Sequence, residues 1–336
     1  MKRIALVGNG VTGKRIAKRL DLIAPDCDVV AVDPRGTLAE AADCNVAVVA
    51  NGGPQIGPAA KLLAHGVSVV CTSDDLGDVR ALSELHEPAV QHGASVVVGA
   101  GMSPGLTGLL ARYLVEQLHH CDEIHLAVHG TAGPACARQH HKALAGRAVG
   151  VHNGLQIERP AGSGRELCWF PEPVGAYDCY RGELASPMLL HELFPNVHRI
   201  SARVSANRRD RFTARLPMLS PPHREGGVGA VRVEVRGANS SGERLTLVAG
   251  VAELVGTCAA ATAAAFTGAI VRGDLDPGVT VAGDERLNTI GLLREVERLG
   301  VRLQEFTGIP HAVNPTSAST QTMMNGPRHG SRHCDI

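Results

Sequence analysis

Short apolar runs alternate with longer amphipathic stretches through the first third of the chain. Lys2 to Val7, Asp28 to Asp33, Asn45 to Ala50, Val67 to Cys71 and Ala94 to Val98 are brief, rich in Val and Ala, and read as strands. Between them lie helical patterns. Val11 to Leu20 sets Val11, Ile16, Ala17 and Leu20 roughly on one face. Thr37 to Cys44 is a short candidate, and Ile56 to His65 ends at Gly66, a good C-cap. A long helix is expected up to about His92, stopped by Gly93, and another from Gly105 to about Leu118. Near-continuous apolar strands alternating with helices predict a parallel sheet covered on both faces.

The pattern changes near Asp122. Glu123 to His129 and Arg199 to Val204 read as strands, and a helix candidate carries Arg138, His140, His141 and Lys142. Val231 to Val235 and Arg244 to Ala249 flank the turn-forming Ala238 to Gly242, a hairpin signal. Gly256 to Val271 is an Ala-rich helix, and Arg286 to Leu299 is the last clear one. Residues 150–225 are rich in Pro and Gly and have no regular pattern. The expected organisation is α/β: an N-terminal Rossmann-type, doubly wound parallel sheet at 1–122, and a second α+β substrate and dimerisation domain at 123–312. The last helices of the second domain are expected to pack back on the first. The polar, non-periodic residues 313–336 predict a mobile tail.

One motif carries chemistry. The first strand runs into Gly8, Gly10 and Gly13 in G-x-G-x-x-G spacing, a helix follows, and the second strand ends on Asp33, twenty residues after Gly13. Gly8 permits the tight turn, Gly10 lets backbone approach a pyrophosphate, and Gly13 lets helix and strand pack closely. Val11 and Thr12 start the helix, whose free N–H groups favour phosphate. Asp33 stands where a ribose diol is gripped, and Arg35 lies two residues on. The plain alternative is a glycine-rich turn that binds no dinucleotide. Ligands of such sheets bind beyond the carboxyl ends of the strands. The exits Asn51-Gly52-Gly53-Pro54, Thr72-Ser73-Asp74-Asp75 and Gly99 to Gly105 should therefore line one crevice with the glycine loop. Gly99, Met102 and Ser103 are expected on the cofactor side, with Ser103 capping the helix and Pro104 in its first turn.

Composition narrows the class. Lys plus Arg and Asp plus Glu balance at 33 each, so no general attraction to nucleic acid or membrane is expected. Aromatics are 3% of the chain, which disfavours a stacking platform for single-stranded nucleic acid. No apolar run is expected to span a bilayer, and the chain enters a strand at once, without an export signal. Nine scattered cysteines without a C-x-x-C pair read as reduced thiols of a cytoplasmic protein. Sixteen histidines form no recognisable metal-ligand set.

The motifs of the first domain are similar to those of the saccharopine dehydrogenase-like family: Gly8-Asn9-Gly10-Val11-Thr12-Gly13, Gly52-Gly53-Pro54, Gly66 to Ser73, and above all Gly99-Ala100-Gly101-Met102-Ser103-Pro104-Gly105-Leu106. The hairpin, the Gly256 helix and the Gly273 to Gly283 turn region resemble its second domain. The likeness covers about residues 1–120 and part of 230–310. It implies a nucleotide-binding lobe, a dimerising substrate lobe, and NAD(P)-linked oxidation or reduction at a carbon–nitrogen bond of an amino-acid-derived substrate. Two departures bear on the substrate. Many relatives carry an Asp-Thr/Ser-Tyr-like turn where this chain has Cys71 to Asp75. Saccharopine-specific relatives tend to have Gly-Gly-Leu-Pro where it has Gly130 to Pro134.

In such enzymes the nicotinamide carries the hydride and the protein handles a proton. His140, His141 and Asp74 are the candidates for that proton. Asp75 suits a substrate ammonium, or simply caps the next helix. Pro104 and Gly105 place a helix end near the substrate. Arg138 and Lys142 suit a carboxylate, or form a solvated helix face. Tyr177 and Arg181 stand out where aromatics are scarce, as pocket residues or as core. The expected cofactor is NAD, with NADP the alternative because of Arg35. The expected partners are a small amino-acid-like molecule and a second copy of the chain, with no nucleic acid and no membrane. Two further readings of this scaffold are a carbonyl or C–C reductase and a non-catalytic dinucleotide-binding sensor or pathway partner.

Overall fold

A computed structural model describes residues 2–219 and 225–306, and the expected tail at 313–336 lies outside the described residues. The chain opens with β1 (Arg3–Val7), α1 (Val11–Ile23), β2 (Asp28–Val32), α2 (Ala39–Ala42), β3 (Val46–Val49), α3 (Ile56–Leu63) and β4 (Ser68–Cys71). It continues through α4 (Leu76–Ser83), α5 (His86–Gln91), β5 (Ser95–Val98) and α6 (Leu106–Val115). A second region follows: β6 (His120–His129), α7 (Pro134–Ala143), β7 (Arg147–His152), β8 (Leu155–Pro160), β9 (Glu166–Trp169) and β10 (Ala176–Arg181). Then come α8 (Ser186–Leu193), β11 (Arg199–Ser205), α9 (Arg208–Thr213), β12 (Gly229–Ala238) and β13 (Arg244–Glu253). The chain ends with α10 (Val255–Arg272), β14 (Gly278–Val281), α11 (Thr289–Arg298) and β15 (Leu303–Glu305).

The first sheet is parallel, with strand order β14-β5-β4-β3-β1-β2. Its strands alternate strictly between two cores. Ile4, Leu6, Val46, Val48, Val70 and Val97 face one, while Ala5, Val7, Ala47, Val49, Val69, Val96 and Val98 face the other. Both faces are therefore removed from water, as the apolar runs imply. The reversal of strand order falls between β1 and β3, and a crevice opens there at the carboxyl ends.

The sixth strand was not legible in the sequence. Val279 to Val281 lies in the Gly273 to Gly283 region that resembles a second-domain turn, yet β14 pairs in parallel with β5. The chain leaves this sheet after β5, builds the second sheet, and returns. Helix α10 packs against α1 and lies under β3 and β4. It is long and apolar enough to cross a membrane, contrary to the expectation that no run reaches that length, but most of it is buried inside the fold. Its alanines allow close helix–helix approach, and this is where a core poor in aromatics gains its density.

The expected long helix before Gly93 is two helices, α4 and α5. Pro88 has no N–H for the carbonyl four residues earlier, and its ring collides there, so the helix breaks at Glu84 and Leu85.

The second sheet has nine strands and is mixed. Strands β6 and β11 are parallel, and the other pairs are antiparallel. Val231, Val233 and Val235 pack inward with Ile124, Leu126 and Val128. The intervening Arg232, Glu234 and Arg236 form ion pairs on the other face, where Arg236 also reaches Glu123. Among the described residues of 150–225, the chain forms short strands and two helices. The burial pattern of β8 is almost wholly exposed, so its side chains carry no apolar period to read.

Candidate active site

A cleft of about 590 Å³ opens at the carboxyl ends of the parallel strands and is roofed by α7 of the second region. Gly10, Val11 and Thr12 line it, as do Asn51 to Gln55, Thr72 to Asp75 and Gly101 to Ser103. From the roof come Gly133 to Cys136, Arg138, Gln139, His140 and Lys142, and Glu183 closes one side. The three strand exits expected to converge do so, and α7 is the element that covers them.

The glycine loop has the geometry its spacing implies. Gly8 has φ +115°, and a Cβ there would lie 2.9 Å from the Ala50 carbonyl carbon. A Cβ on Gly13 would lie 2.1 Å from the Gly8 oxygen, so only glycine lets α1 sit this close to β1. A Cβ on Gly10 would meet nothing within 4 Å. Gly10 is also the N-cap of α1, with no side-chain cap and no acid in the first turn. The first N–H groups of the helix therefore face open space, which suits a diphosphate. Asp33 directly follows β2 and is not among the residues that line the cleft. One carboxylate oxygen accepts the Arg35 N–H at 2.9 Å, and among the described residues the other has no hydrogen-bond partner.

The turn after β5 differs from expectation. Helix α6 starts at Leu106 with Gly105 as its N-cap at φ +122°, so Ser103 and Pro104 lie in the turn before it rather than at the cap and first turn. A Cβ on Gly105 would lie 2.2 Å from the Gly101 oxygen, and one on Gly99 would lie 2.5 Å from Pro104. Gly99, Pro104 and Gly105 thus shape the turn, while Met102 and Ser103 face the cleft. The Ser103 hydroxyl lies 3.0 Å from that of Ser186 and accepts from Thr107 at 3.3 Å.

Asp75 holds two positions at once. One oxygen accepts from Gly77 and Asp78 and so caps α4. The other accepts from Lys142 Nζ at 2.9 Å and Gln139 Nε2 at 3.1 Å, across the cleft. Burial works against its charge, but these donors outweigh it and hold the carboxyl below its ordinary range. The same pair raises Lys142. Asp75 and Lys142, both candidates for substrate charges, therefore satisfy each other.

Asp74 is the contrast. Among the described residues it has no cationic partner, and burial, with a smaller contribution from Asp75, pushes its carboxyl up to about 6. It influences Cys136 on α7, whose thiol burial pushes up to about 12. His140 accompanies it in the cleft. Its Nε2 lies 2.9 Å from the Ser205 carbonyl, which fixes Nε2 as the donor and leaves Nδ1 to accept a proton. Burial lowers its basicity. Arg138 is exposed at the cleft wall.

Three candidates lie elsewhere. His141, one residue along the helix from His140, points away from the cleft into a buried contact with Thr213 Oγ1 at 3.2 Å. Tyr177 stacks on His129 with ring centroids 4.0 Å apart, on the outer face of the second sheet. Arg181 reaches Ser163. The cleft also contains residues that the sequence did not mark: Gln55, Asp78, Cys136, Gln139 and Glu183. Gln55 follows directly on the Gly52-Gly53-Pro54 exit, the one signal that could have found it. Among the described residues no group of three or more His, Cys, Asp or Glu is placed to hold a metal.

No family model matches the sequence, and neither does any curated protein. Solved structures do match. The fold is similar to apo saccharopine dehydrogenase (L-Glu forming) from Saccharomyces cerevisiae, with TM-score 0.66 and 12% identity over 91% of this chain and 100% of that one. It is also similar to a meso-DAPDH mutant with DAP from Clostridium tetani, at TM-score 0.52 and 12% identity over 87% and 96% of the chains. An engineered D-amino acid dehydrogenase bound to NADP+ gives TM-score 0.50 and 15% identity over 87% and 95%. The chain has the saccharopine dehydrogenase-like fold: a Rossmann-type parallel sheet joined to a second domain built on a mixed sheet.

Proposed function

We propose that this protein is an NAD(P)-dependent oxidoreductase acting on a carbon–nitrogen bond of an amino-acid-derived amine or imine. The observation that carries the reading is the continuity of one cleft, from the uncapped α1 N-terminus at Gly10 to the unpaired carboxyl of Asp74. The residues fit a dinucleotide. Gly10 leaves room for a diphosphate, and Asp33 has an oxygen free for a ribose. From β2 to β4 is three strand spacings, roughly 14 Å, across which an extended dinucleotide can lie. The resemblance to saccharopine dehydrogenase and to a D-amino acid dehydrogenase with NADP+ supports the same assignment.

When bound, the nicotinamide supplies or accepts the hydride. The chain does the rest. Gly10 to Thr12 and Asn51 to Gly53 hold the cofactor. Thr72, Ser73, Met102 and Ser103 border its reactive end. Asp74, half protonated at about pH 6, gives or takes the amine proton. His140 Nδ1 is the second group able to do so. Arg138 is placed to meet a substrate carboxylate. The α7 roof excludes water from the reacting centre. A homodimer through the second domain belongs to the same proposal. Edge strand β9 presents Leu167 and Trp169 to solvent, which favours cover by another chain. Absorbance at 340 nm, followed over a panel of amino acids and of keto acids with amines, tests the reading. Turnover on any member supports it. Tight cofactor binding with no turnover throughout the panel supports the sensor instead.

A further inference from the structure

Two loops that border the cleft, after β3 and after β4, are bridged by the side chain of Gln55. Gln55 is 2% exposed and uses its full hydrogen-bonding capacity. Its Oε1 accepts from the Thr72 N–H at 2.8 Å and the Ser73 N–H at 3.1 Å. Its Nε2 donates to the Asn51 carbonyl and to Thr72 Oγ1, each at 3.2 Å. Thr72 Oγ1 in turn donates to the Val49 carbonyl at 3.2 Å. The backbone of Gln55 is fixed by Asp78, which is also buried. Its carboxylate accepts the Gln55 N–H at 2.8 Å and the Ile56 N–H at 3.0 Å, capping α3 from a neighbouring helix.

Helix α3 is thereby tied to α4, and the β3 exit to the β4 exit. We propose that Gln55 is a positioning residue that sets the spacing of these two loops and so holds the nicotinamide ring of the cofactor, and with it Asp74, in register. The inference rests on the functional reading above. It follows from the order of the sheet. The adenosine half lies at β1 and β2, over Gly8 to Gly13 and Asp33, none of which Gln55 touches. The other half must lie over β3 and β4, where every Gln55 side-chain bond is made. A glutamine here needs both kinds of atom on one planar group: an acceptor for two N–H groups and a donor for a carbonyl. Glutamate supplies only the first, and methionine neither.

The test uses the full-length protein and two nucleotides, NADH and ADP-ribose, titrated calorimetrically into wild type, Gln55→Met and Gln55→Glu, with a melting curve for each. The expected result is at least a tenfold loss of NADH affinity in Gln55→Met, with ADP-ribose affinity within twofold of wild type. Gln55→Glu keeps the acceptor and should lose NADH affinity by a smaller factor, again without change for ADP-ribose. A merely structural role would lower the melting temperature and weaken both nucleotides together. That result, or unchanged NADH binding in a folded Gln55→Met, overturns the proposal. Should Gln55→Met fail to fold, Gln55→Glu decides on the same two affinities. Wild type that binds neither nucleotide overturns the functional reading itself, and is told apart from failure of the inference by that fact.

Discussion

Gly10 and Gly13 stand three residues apart in one motif, and the structure gives them opposite jobs. A side chain at Gly13 would place its Cβ 2.1 Å from the Gly8 oxygen, in the backbone of the turn that leaves β1, where nothing can yield without moving α1. Overpacking of this kind costs about 1–3 kcal/mol. Gly13→Ala should therefore lower the melting temperature by several degrees. Gly10 has φ −80° and ψ −164°, an extended conformation open to any residue, and a Cβ there meets nothing. Gly10→Val should stay within about 0.5 kcal/mol of wild type in stability. It would instead fill the space of the diphosphate and displace hydrogen bonds from the first turn of α1. A hydrogen bond to a charged group contributes about 1.5–3 kcal/mol, roughly one to two decades in affinity. Calorimetry with NADH and a thermal melt on both variants separate the two roles. Wild-type NADH affinity in Gly10→Val would refute the nucleotide assignment. An unchanged melting temperature in Gly13→Ala would refute the packing argument.

Three further outcomes are expected. Asp74 is easier to protonate in the folded chain than in the unfolded one, so its contribution to stability is full below about pH 4 and lost as pH rises through about 6. Asp74→Asn should raise stability at pH 8 by up to about 3 kcal/mol, with no gain at pH 4 in paired denaturant melts. It should also abolish turnover. Equal melts at both pH values would remove the perturbed carboxyl from the account. NAD should bind at least about tenfold tighter than NADP, because a 2′-phosphate would meet the Asp33 carboxylate. Asp33→Ser should erase most of that preference, and if wild type prefers NADP, Arg35→Ala should be the variant that loses it. The solution mass by light scattering at micromolar concentration should be twice the 35.1 kDa of the chain, and a strictly monomeric mass would refute the dimer.

The first five parallel strands and the convergence of their exits were legible because each announces itself as a short apolar run; β1, β3, β4 and β5 are buried on both faces, and the edge strand β2 is partly exposed. Strand β14 was not. It is as long as β3, β4 and β5, but Gly278 and Thr280 interrupt its apolar residues, and its partner β5 is distant in sequence. Strand β8 escaped for the opposite reason: solvent on its surfaces leaves no pattern. Within the site, the glycine spacing marks Gly8 and Gly13 because close backbone contacts require them, and Gly10 because it leaves open space at the start of α1. The side of α7 that faces the cleft could not be read, because His140 and His141 are adjacent and chemically alike. Only the docking of α7 on Gly52 and Val11 turns His140 inward and His141 outward. Beyond its place after the Gly52-Gly53-Pro54 exit, Gln55 had no signal, because apart from Thr72 Oγ1 its side-chain partners are backbone groups of Asn51, Thr72 and Ser73, and backbone carries no sequence signal.

The central claim is that the cleft between Gly10 and Asp74 holds a nicotinamide dinucleotide. Titration of NADH into the wild-type protein, followed by calorimetry, tests it most directly. The account predicts saturable binding of one NADH per chain at sub-millimolar concentration, with NADPH at least about tenfold weaker. Absence of binding by either nucleotide up to millimolar concentration would contradict it.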